Sequence, residues 1–199
     1  MSSFNEPELC LMRQWNDARL LEGSMQSVRE KYSAVFEKVL DEIQKKYQAF
    51  DSRQNLFPKG DGRAGVGKKT WPSKAGYYIS GFWLGGLLLE NLASETEHVP
   101  HSFAWINHPD GPMDLEEAQR KFDDAAFNKE GMQWYNTGWG KGIVGVWCPF
   151  RQSRQELFEL LTKDEACGFV ACMLAHFAPL VQFSKLMDDI HGTINKARQ

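Results

Sequence analysis

The chain has 199 residues, with 23 Lys plus Arg against 26 Asp plus Glu and a formal net charge of −3. That length can close one packed domain without metals or disulfides, and the near balance of charge supplies no global field drawing the protein to nucleic acid or anionic lipid. Four cysteines with no Cys-x-x-Cys pair, and an N-terminus MSSFNEPELC lacking the basic and apolar regions of a secretory leader, predict a cytoplasmic chain with reduced thiols.

In chain order, Glu6 to Leu21 carries apolar residues at three-to-four-residue spacing, which predicts an amphipathic helix broken at Gly23. Ser24 then reads as the N-cap of a second helix running to about Phe50, with Val28, Tyr32, Val35, Val39, Ile43 and Tyr47 in one stripe. The two together predict a helical hairpin over residues 1–50. The second helix is longer than the edge of a core this size requires, so Val28, Tyr32, Val35 and Val39 are a candidate contact for another protein or a second copy.

Residues 51–75 are rich in glycine and lysine and predict a long exposed connection. Ala75 to Ala93, AGYYISGFWLGGLLLENLA, has Glu90 as its single charge and is expected at the centre of the core. Its uninterrupted apolar part is about 15 residues, short of a membrane span, so no membrane is expected as a partner. Gly85-Gly86 reads as the turn of a hairpin between 77–84 and 87–92, with a helix starting in the second half as the equal alternative.

Ser102 to Asn107 and the Ile-Val-x-Val run at Ile143 suit strands. Asp114 with Glu117 has capping-box spacing, and helical patterns resume at Ser153. The chain is therefore expected to be α+β: the N-terminal hairpin, then over 76–199 a small, mostly antiparallel central sheet with C-terminal helices packed on one face.

Chemical motifs are sparse. GRAGVGKK, from Gly62 to Lys69, has the GxxxxGK spacing of a phosphate-binding loop, but Lys69 stands where magnesium needs Ser or Thr. No apolar strand precedes it, and Pro72 opposes the helix that would face the phosphates. What survives is a simpler role for Arg63, Lys68, Lys69 and Lys74 as counter-charges to a phosphate-bearing ligand or nucleic acid.

His98, His101 and His108 match no metal-ligand spacing, and no GxSxG elbow occurs, so neither a metal, a cofactor nor a catalytic residue is assigned. Trp134 and Trp139 are candidates for an aromatic surface. The expected function is a non-enzymatic binding or regulatory protein, of inhibitor or immunity type, acting through the long helix or the aromatic loops. The alternative is a phosphate-ligand or nucleic-acid-binding protein or enzyme using the basic segment 59–74.

Overall fold

The computed structural model describes residues 6–51, 64–68, 70–71, 73–74, 77–78, 80–87, 89, 92, 99–107, 115–127, 132–136 and 143–197. Its class is α+β: helices packed on a six-stranded antiparallel sheet, entered through a long N-terminal helix.

The helices are α1 (Glu6–Arg13), α2 (Trp15–Lys46), α3 (Leu115–Phe127), α4 (Arg154–Thr162), α5 (Cys167–Val181) and α6 (Ser184–Ala197). The strands are β1 (Phe50–Asp51), β2 (Ala64–Lys68), β3 (Ser73–Lys74), β4 (Tyr77–Tyr78), β5 (Ser80–Gly85), β6 (His101–Asn107), β7 (Tyr135–Asn136) and β8 (Ile143–Pro149). The large sheet runs β1-β2-β5-β6-β8-β7, and β3 pairs with β4 as a separate ribbon.

The expected turn at Gly23 does not form. α2 runs 32 residues through it, about 48 Å at helical rise, and only Gln14, at φ −110° and ψ 31°, separates it from α1. One glycine costs a helix about 1 kcal/mol, and nothing lies near Gly23 for a turn to pack against. Ser24 does not act as a cap either: its hydroxyl donates to the Leu20 carbonyl one turn back.

The Gly/Lys segment is also not all connection, since residues 64–68 form strand β2 between β1 and β5. Gly65, Val66 and Gly67 are buried there. Of the two readings of Gly85-Gly86 the structure has the helical one: β5 pairs with β2 and β6, Gly86 turns the chain with φ +71°, and Leu89 and Leu92 lie in helical turns.

Strand alternation divides the sheet into two chemically different faces. Val66, Phe82, Leu84, Ala104, Ile106, Val144 and Val146 point toward the helices and join Val39, Ile43, Phe169, Met173, Phe177, Leu180 and Met187 in one core. The other face carries Trp83, His101, Phe103, Trp105 and Trp147. Trp83 stacks on Phe103 with centroids 4.8 Å apart, and Tyr135 stacks on Trp147 at the same distance.

Glycines make room for these indoles. Trp105 lies between Gly81 and Gly145 on the neighbouring strands, and Gly65 stands beside Trp83. A Cβ on Gly81 would come 2.8 Å from the Val66 carbonyl oxygen, and one on Gly145 2.1 Å from that of Ala104.

The β8 edge next to the short β7 is closed by a side chain. The Gln119 amide of α3 donates to the Gly145 carbonyl and accepts from the Gly145 N–H, both at 3.0 Å, as a neighbouring strand would. α4 begins on a capping box between Ser153 and Glu156. The stretch Asp164–Val181 is long and apolar enough to cross a membrane. Here it buries Phe169, Met173, Phe177 and Leu180 in the core, which accounts for its composition.

Candidate functional site

The amphipathic stripe of α2 meets two different environments. From Tyr32 onward it is covered by the chain's own body: Tyr32 is 5% exposed, Phe36 7%, and Val39 and Ile43 0%. The Tyr32 hydroxyl donates to the Leu87 carbonyl where the helix enters the body, and Phe36 meets Phe169 of α5 edge-on at 5.9 Å.

Before Tyr32 the same stripe is open. Leu21, Met25 and Val28 are 62%, 48% and 49% exposed, with Trp15 at 57% nearly two turns further out. Of the eight large apolar side chains exposed among the described residues, six lie between Met12 and Val28. Scattered single apolar residues are normal on a surface, but a contiguous row on one projecting element marks an interaction site.

The periodicity on the open half is that of a coiled-coil seam. Ala18, Leu21, Met25, Val28, Tyr32, Val35 and Val39 alternate three- and four-residue steps, the a/d spacing that lets a second helix pack knobs into holes. Of the four partner-helix residues expected from sequence, Val28 lies in the open half. Tyr32 and Val39 are used by the body, and Val35 is half-buried against the core.

The predicted basic residues are described only in part. Arg63 and Lys69 lie outside the described residues, Lys74 is in β3, and Lys68 ends β2 with its ammonium paired to the Asp188 carboxylate of α6. Asp188 also accepts from the Trp71 indole N–H at 2.7 Å, and next to it the Ser80 hydroxyl and His191 Nε2 are 2.7 Å apart. Ser80 is fully buried and His191 nearly so. The cluster ties α6 to the sheet and takes up the charge of Lys68. Its members are about 110 to 120 residues apart in sequence, and no local pattern announces their meeting.

Trp134 sits half-buried with its ring edge-on to Phe183 at 5.0 Å, which makes it part of the packing under α3; Trp139 lies outside the described residues. A cavity of about 740 Å³ beside Trp134 is lined by Asp123, Gln133, Tyr135 and Asn136 among others. His98 and His108 lie outside the described residues. His101 is in β6, with Nδ1 2.8 Å from the Val99 carbonyl oxygen, and no group of three metal-ligating side chains occurs among the described residues.

Burial favours the neutral forms of His176, Cys172 and Cys148. Burial, helped by Arg151, pushes His176 down to about 4, and its ring stacks on Phe150 at 3.8 Å with Nε2 2.6 Å from the Gln152 amide oxygen. Burial, with Glu156, pushes the Cys172 thiol up to about 11, and burial also raises Cys148, so both thiols are poor nucleophiles.

Comparison of the chain with protein-family models, curated proteins and solved structures yields no match. The exposed half of α2 is therefore assigned as the candidate site on its own geometry.

Proposed function

We propose that this chain is a non-enzymatic protein-binding module whose working surface is the outer half of α2, from Trp15 to Val28. The observation that carries the reading is the change in one stripe at Tyr32: the same seam is closed by the body on one side and left to solvent on the other. A helix presenting apolar residues at seam spacing is recognised by another helix laid along it, with the flanking charges setting partner and orientation.

Two features of the body support a scaffold role rather than chemistry. Burial favours the neutral forms of His176, Cys148 and Cys172, and the Ser80–His191 pair is closed to solvent.

The test is residue-specific cross-linking in native lysate from positions 17 and 24, beside the seam, in the wild-type chain and in Leu21→Glu/Met25→Glu. The reading expects at least one polypeptide, this chain or another, that is cross-linked to the wild type and lost in the double variant while thermal unfolding is unchanged. If no cross-linked polypeptide depends on the two substitutions, the reading is wrong.

A further inference from the structure

We draw no further inference here: the strongest candidate, the open apolar face of α2 from Trp15 to Val28, belongs to the surface already described, and nothing in the structure shows what covers it.

Discussion

The two halves of α2 obey one pattern and meet opposite fates. From Tyr32 to Ile43 the apolar row is shut against the sheet and α5; from Trp15 to Val28 a row of the same spacing faces water. The contrast teaches that amphipathic periodicity measures a demand for burial and not its source, since the same steps of three and four residues are met within the chain on one side of Tyr32 and left open on the other. The inner half makes α2 part of the fold. The outer half makes it a lever that the fold holds out.

The sharpest way to separate the halves is a cavity in the closed one. Ile43 is fully buried, so Ile43→Ala should lower the free energy of unfolding by about 2–5 kcal/mol, read as a lower urea midpoint with little change in slope. A change under about 0.5 kcal/mol would mean that the inner half is not part of the core.

Acid should act next, through the body on which the inner half packs. His176 of α5 titrates near 4 in the fold against about 6.5 unfolded, so between those values the unfolded chain binds more protons and stability rises with pH. The contribution is complete above about pH 6.5 and lost on acidification toward pH 4. It should amount to about 1–2 kcal/mol once partial solvent screening is allowed for. His176→Phe retains a ring against Phe150 and should flatten this part of the profile in urea titrations at pH 7, 5.5 and 4.5; an unchanged slope would assign the acid sensitivity elsewhere.

At the boundary itself, Tyr32→Phe keeps the ring beside Phe36 and removes only the hydroxyl that reaches the Leu87 carbonyl. Leaving that carbonyl without its donor should cost about 1 kcal/mol of stability, and it should speed amide exchange in the turn before Tyr32 more than in the turns after Val39.

How far this division was readable from sequence depends on which physics governed each segment. The helix patterns at Ser153–Leu161 and along α5, and the strands at Ser102 and Ile143, follow from dense apolar spacing that a buried face demands. The stripe of α2 was legible too, but its point of closure at Tyr32 was not, because that is set by Leu87 and Phe169, far away in the chain.

Glycine misled in both directions. Gly23 suggested a turn and is carried inside a long helix. Gly65 and Gly67 suggested a loop and lie in β2, where Gly65 leaves space beside Trp83. A small residue marks either a flexible backbone or a close approach, and only the partner strand decides between them. The pairing of Lys68 is of the same kind: nothing near it in sequence points to Asp188, which takes up its charge.

The smallest expected effect lies in the open half and carries the most information. Leu21→Ser removes an apolar side chain that is 62% exposed, so in dilute solution, where no partner is bound, stability should change by less than about 0.5 kcal/mol in either direction. That figure stands against the several kcal/mol expected at Ile43, one seam and fewer than seven turns away on the same helix. A Leu21→Ser cost approaching 2 kcal/mol in dilute solution would show that the outer half is already covered by its own chain, and the contrast on which the interaction surface rests would disappear. A near-zero cost in dilute solution that grows with protein concentration is the signature of a surface stabilised only when something binds to it, because association adds its free energy to the folded state by mass action.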